Sequence, residues 1–109
     1  MNVGLYVWQR ATAALMVPLV LVHVVVIFYA TRKGMTAADI LARTRGSIAW
    51  ASFYGAFVIA VAIHAGIGVH NVLTEWSPLK ERSAGIFASG FGLLLLLLGA
   101  RAVAAVVLP

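Results

Sequence analysis

Charge is nearly absent from three long stretches of this chain. Between Arg10 and Arg32 lie 21 uncharged residues, Ala11 to Thr31, and between Arg45 and Glu75 lie 29, Gly46 to Thr74. From Ser83 to Pro109 there are 27 residues with one charge, Arg101, and they include six consecutive leucines, Leu93 to Leu98. About 20 apolar residues in a helix cross the hydrocarbon core of a bilayer. Backbone exposed to lipid must satisfy its own hydrogen bonds, so each stretch is expected to be a helix. The pattern predicts an all-α, integral membrane, three-helix transmembrane bundle, with helices over about 8–31, 47–73 and 84–107 in one domain.

Composition supports this. Of the 109 residues, 63% are hydrophobic and 10% charged. A soluble domain is about half apolar and about a quarter charged. With no cysteine, the chain cannot itself build a disulfide scaffold, a Cys-ligated zinc site, an iron–sulfur cluster or a c-type haem attachment. The net charge is +5. Nucleic-acid binders cluster such charge on a soluble surface, whereas here it punctuates apolar blocks, so no nucleic-acid partner is expected. The N-terminal apolar run lacks a preceding Lys/Arg cluster, and Val20 to Ile27 is rich in branched residues. The first helix is therefore expected to be retained rather than cleaved as a signal peptide. Pro18 inside it removes one backbone hydrogen bond and either bends the helix or is simply tolerated.

The linker 32–45 holds Asp39 and a short interfacial helix, predicted over Ala37 to Ala42. The linker 75–82 holds Ser77-Pro78. Orientation rests on a thin margin. Arg32, Lys33, Arg43 and Arg45 lie on one side and Arg10, Lys80 and Arg82 on the other. Arg101 tips the positive-inside rule slightly toward an external N-terminus.

Polar residues inside a span are the default functional candidates. His23 and His64 lie within spans, and His70 lies near the end of the second. A neutral imidazole is a good axial ligand for haem iron, and it is also a common interhelical hydrogen-bonding group. At about 100° per residue, Gly68, Asn71 and Glu75 fall about 40°, −20° and 20° from His64, on one face. Gly68 removes a side chain one turn from the histidine, where a flat porphyrin would approach. Gly66 and Gly68 equally suit close helix packing, together with Ala60, Ala62 and Ala65. Glu75 lies about 16 Å along the axis from His64, at the membrane surface, and Trp76 follows in the interfacial aromatic belt.

His70 is turned about 240° from His64, so one iron cannot take both. It is a candidate for a haem propionate, or a solvated interfacial residue. His23 lies about 20 Å from the Arg10 end, against about 15 Å for His64 from the same surface. A shared haem would need a tilt or shift. A second haem, a contact with a partner chain and plain packing are the other readings. Arg10 either snorkels to the interface or offers its fork of donors to a propionate or quinone carbonyl.

Two runs carry a family resemblance. Trp8-Gln9-Arg10-Ala11-Thr12-Ala13 heads the first helix. His64-Ala65-Gly66-Ile67-Gly68-Val69-His70-Asn71-Val72-Leu73-Thr74-Glu75-Trp76 ends the second. Together they resemble the small cytochrome b membrane-anchor subunits of succinate dehydrogenase (complex II), and most nearly the D-type chain. The match covers about 20 residues in detail and the whole chain in length and three-helix layout.

The resemblance implies haem b held between anchor helices and a quinone site, for ubiquinone or menaquinone, beside the iron–sulfur subunit. It implies three partners in the bacterial inner membrane: a second anchor subunit, the iron–sulfur subunit and the flavoprotein subunit. His64 falls at the family's axial-ligand position. Glu75 stands where the family has Asp. Trp76 replaces a Tyr whose hydroxyl binds the quinone, and an indole N–H can donate one hydrogen bond but not relay a proton as a phenol can. His70 stands where the companion C-type chain has Arg. His23 has no D-type counterpart, but some members of the wider family bind two haems, which makes it the candidate for a second. Family topology would place the N-terminus and the Glu75–Arg82 loop in the cytoplasm. The rival readings are an anchor of fumarate reductase or another dehydrogenase, a haem-free structural membrane subunit, and a transporter fragment.

Overall fold

A computed structural model describes residues 3–108 of the chain. Their order is α1 (Val3–Lys33), α2 (Ala37–Thr44), α3 (Ile48–Trp76) and α4 (Glu81–Val107), and no strand occurs among them. The all-α reading holds, and α1, α3 and α4 are each long and apolar enough to cross a membrane. Each helix outruns its predicted bounds by several residues at one end or both. The extra turns carry interfacial residues such as Tyr6, Trp76 and Arg82, which continue a helix without needing an apolar side chain. The long dimension is 48 Å, close to the roughly 40–45 Å of a bilayer with its headgroup regions.

What lies inside and outside this molecule is the reverse of a soluble protein. The buried apolar residues are Ala60, Ala62, Ala84, Ala88 and Val107, joined by Thr12 and Thr44. Large apolar side chains such as Val25, Phe28, Phe87 and Leu97 are exposed. A soluble monomer rarely exposes contiguous apolar patches beyond a few hundred Å². In a bilayer the lipid solvates the large side chains, and small residues are what let helix backbones approach. The chain is a membrane protein.

Each loop is closed by local chemistry. Gly34 (φ +64°) ends α1 in the left-handed conformation. Its N–H donates to Thr31 O at 3.1 Å, and that of Met35 to Ala30 O at 3.0 Å. This pair of bonds satisfies carbonyls the helix end leaves open. Thr36 then caps α2. The Asp39 N–H donates to Thr36 Oγ1 at 3.1 Å, and the Thr36 N–H donates to Asp39 Oδ2 at 2.9 Å, a reciprocal capping box. The bonds to Thr36 hold the Asp39 carboxyl below the ordinary aspartate value. The far end of α2 is tied to α4. Thr44 Oγ1 donates to Val106 O at 2.6 Å, and the Gly46 N–H donates to Val107 O at 2.7 Å. Two of the last carbonyls of α4 are thereby paired. Ser77, extended before Pro78, ends α3 because the proline ring disfavours helical geometry in the preceding residue.

The helix α3 is central, packing on α4 along one side and α1 along another. Both contacts are antiparallel. Along α1, Gln9, Thr12 and His23 meet Gly68, His64 and Tyr54 in turn. Along α4, Gly85, Gly92 and Gly99 meet His70, Gly66 and Val58. Gly92 sits so close to α3 that a Cβ there would lie 3.3 Å from Ala62 O and 3.7 Å from Gly66 Cα. α1 runs as a single helix through Pro18.

Candidate functional site

The three histidines all lie on α1 or α3 and are separated by the helix geometry. His64 faces α1. Its Nδ1 lies 3.3 Å from Thr12 Oγ1, and Thr12 is 4% exposed. The Thr12 hydroxyl also sits 2.8 Å from Trp8 O and 3.1 Å from Gln9 O within its own helix. Beside this contact runs a groove of about 340 Å³, open on one side, lined by His64, Gly68, Gln9 and the apolar side chains of Val69, Val72 and Leu73. A Cβ on Gly68 would lie 3.5 Å from Gln9 Nε2. Gln9 Oε1 is buried without a hydrogen-bond partner among the described residues.

The two glycines of the His64 turn therefore divide the roles the sequence left open. Gly66 is a packing residue, with a Cβ position 3.6 Å from Ala88 O across the α3–α4 seam. Gly68 faces the groove. Their separation of two residues, about 200° around the helix, places them on opposite sides.

His70 shares the Gly66 side. It lines a separate cavity of about 520 Å³ with Gly66, Gly85, Ser89 and Gly92, and with Leu5 of α1. Its Nδ1 is buried without a hydrogen-bond partner among the described residues. The structure does not bring it to the His64 groove. His23 occupies a third place, a chamber of about 570 Å³ that Ile40 of α2 and Gly99 of α4 help to line. Its ring meets Tyr54 and Phe57 edge-on, with centroids 5.9 and 5.4 Å apart, and its Nδ1 is also buried without a partner. Thr12, level with His64, lies 11 residues from His23, about 16 Å along α1. One haem cannot bridge His23 and His64 within this chain.

No family model, curated protein or solved structure matches this chain.

Arg10, Glu75 and Trp76 lie at the same end of the molecule, where the first turns of α1 meet the last turns of α3. All three are exposed, Trp76 at 83%. The Arg10 guanidinium stands 5.5 Å from the Tyr6 ring centroid, an arrangement that suits an interfacial cation. At the opposite end Arg43 and Lys33 stand 5.8 and 5.9 Å from the Tyr29 ring. Both ends thus carry paired aromatic and cationic side chains of the kind that anchor a protein at the headgroup level.

Among the described residues no three His, Asp or Glu side chains group to hold a metal ion. A haem iron asks for less, since its porphyrin supplies four donors and the protein an axial imidazole. In the sequence Gln9 and Thr12 stand out only as members of the run from Trp8 to Ala13. Both are polar within an apolar span, which was the signal available. Which neighbour they face depends on the pairing of α1 with α3.

Proposed function

We propose that the chain is a membrane-anchor subunit of a succinate:quinone oxidoreductase, binding haem b at His64 and contributing to a quinone site. The carrying observation is His64 itself, one nitrogen held by Thr12, beside an apolar groove floored by Gly68 and open to a partner. The donor set fits a haem: one neutral imidazole and apolar walls. This chain would supply one axial ligand, through Nε2, and part of the pocket. The other wall and any second ligand fall to the second anchor subunit. The haem, when bound, supplies a one-electron redox centre; this chain contributes ligand, low dielectric and exclusion of water.

The exposed residues Arg10, Glu75 and Trp76 at one end of the molecule would contribute to the quinone surface, completed by the iron–sulfur subunit, with the flavoprotein beyond it. The Arg10 fork and the Trp76 indole N–H donate to quinone carbonyls, and Glu75 is the group able to exchange protons. The proposed setting is a bacterial inner membrane. An anchor of fumarate reductase would use the same residues, because electron direction is set by potentials in the other subunits.

The test is a reduced-minus-oxidised spectrum of membranes in which the chain is expressed with its neighbouring subunits, wild type beside His64→Ala. A b-type band lost in the variant is expected. No band, or one indifferent to His64, removes the proposal, and no band at all leaves a haem-free structural subunit. The co-purifying soluble subunits then identify the oxidised substrate.

A further inference from the structure

We propose that Thr12 is a positioning residue that holds His64 in the Nδ1–H tautomer and so leaves Nε2 as its ligating nitrogen. The ligating half of this inference rests on the haem reading above; the tautomer half does not.

A threonine hydroxyl carries one proton and two lone pairs. Thr12 Oγ1 has three polar neighbours, and two of them, Trp8 O at 2.8 Å and Gln9 O at 3.1 Å, are carbonyls that can only accept. The shorter contact is the bond back to the i−4 carbonyl that helix-interior threonines favour. With its proton committed there, the oxygen meets His64 Nδ1 at 3.3 Å through a lone pair. Nδ1 must then be the donor. A neutral imidazole has one N–H, so Nε2 is bare. Thr12 is 4% exposed, so water cannot readily replace it.

The other two histidines show what is missing without such a partner. His23 and His70 both have a buried Nδ1 without a hydrogen-bond partner among the described residues. Among the three, His64 has a polar partner on its Nδ1, the kind of contact that metal-binding histidines ordinarily make through the nitrogen that does not ligate. Partners of this kind change metal affinity by about 10–100-fold when removed. The contact is at the long end of hydrogen-bond distances, which puts the expected effect near the lower figure.

The first test reads the tautomer directly. The full chain, labelled with ¹⁵N-histidine and reconstituted in lipid without haem, is examined by NMR, with His64→Ala assigning the signal. We expect His64 protonated at Nδ1 and bare at Nε2, a mixture of tautomers in Thr12→Val, and recovery in Thr12→Ser. A wild-type His64 protonated at Nε2, or a tautomer unmoved in Thr12→Val, overturns the inference. If Thr12→Val does not fold, the wild-type and Thr12→Ser spectra still decide it.

The second test uses the assembled complex. Thr12→Val should retain haem about tenfold more weakly and raise its midpoint potential, because the imidazole loses basicity. Thr12→Ser should restore both. Unchanged retention and potential would overturn the positioning role. A wild-type complex without haem would overturn the proposed function and the ligating role of Nε2, while the NMR result would still stand for the tautomer.

Discussion

The two sides of α3 solve different problems with the same residue types. Toward α4, Ala62 and Gly66 face Ala88 and Gly92 with the backbones nearly touching. Toward α1, His64 meets Thr12 and Gly68 faces Gln9, beside a groove open on one side. The first side holds the fold together by contact, since lipid offers no hydrophobic drive between helices and packing must supply the attraction. The second side leaves space and spends a buried polar contact on one imidazole. Glycine on the α4 side removes a clash, whereas Gly68 on the α1 side keeps a surface open.

One substitution made on both sides should separate these roles. At Gly99, on the α4 side, an added Cβ would lie 2.5 Å from Val58 Cγ1 and 3.2 Å from Val58 Cβ. Valine is stiff at χ1 in a helix, and no rotation moves its Cβ. Gly99→Ala should therefore cost about 1–3 kcal/mol of stability through overpacking. Val58→Ala in the same chain should recover most of the loss. Gly68→Ala meets only an ordinary 3.5 Å contact. It should leave stability unchanged or raise it by about 0.5–1 kcal/mol through helix propensity. Unfolding from detergent micelles checks both, and equal effects at the two sites would erase the distinction.

His23 sharpens the comparison further, because it also lies between α1 and α3 but without a polar partner. Replacing an unpaired buried polar group by an apolar one of similar shape is neutral or stabilising. His23→Phe should keep stability or raise it by about 1 kcal/mol, with Tyr54 and Phe57 accepting the ring edge-on. Its effect on the haem spectrum should be nil. Loss of one of two haem redox steps would instead assign His23 a haem of its own.

The smallest effect belongs to α2, outside both sides. The folded Asp39 carboxyl titrates below its ordinary value because it accepts the Thr36 N–H. Its capping contribution is thus complete above the unfolded value of about 3.9 and is lost as pH falls through the lower folded value. Hydrogen exchange at the Thr36 amide, corrected for intrinsic rates, should show constant protection from pH 8 to pH 5. That protection should fall only in stronger acid. Asp39→Asn should abolish this acid-dependent change.

Much of the candidate site could be read before any coordinates. The geometry of one helix already separated His70 from His64 and put Gly68 beside the latter, because both statements depend only on the helical period. The roles of Gly66 and Gly68 could not be separated, since small residues serve packing and ligand approach equally well until the neighbouring helix is placed. The unequal depths of His23 and His64 already make a shared haem difficult, and the pairing of Thr12 with His64 puts His23 about 16 Å away along α1. Arg10, Glu75 and Trp76 were expected near one surface, and they do lie at one end, but as exposed groups awaiting a cover.

The sequence by itself determined that this is a membrane protein of three long apolar helices with a short helix between the first two. Hydropathy and the demand that backbone bonds be satisfied in lipid are local properties, readable residue by residue. Only the tertiary structure decided which sides of those helices meet. It paired Thr12 with His64, left Nδ1 of His23 and His70 without a hydrogen bond among the described residues and put the glycine seam against α4. In a membrane both sides of a helix are apolar, so hydrophobic periodicity carries no sign of which one faces protein. That choice is made by the fit of small residues and a few polar contacts between chain segments distant in sequence.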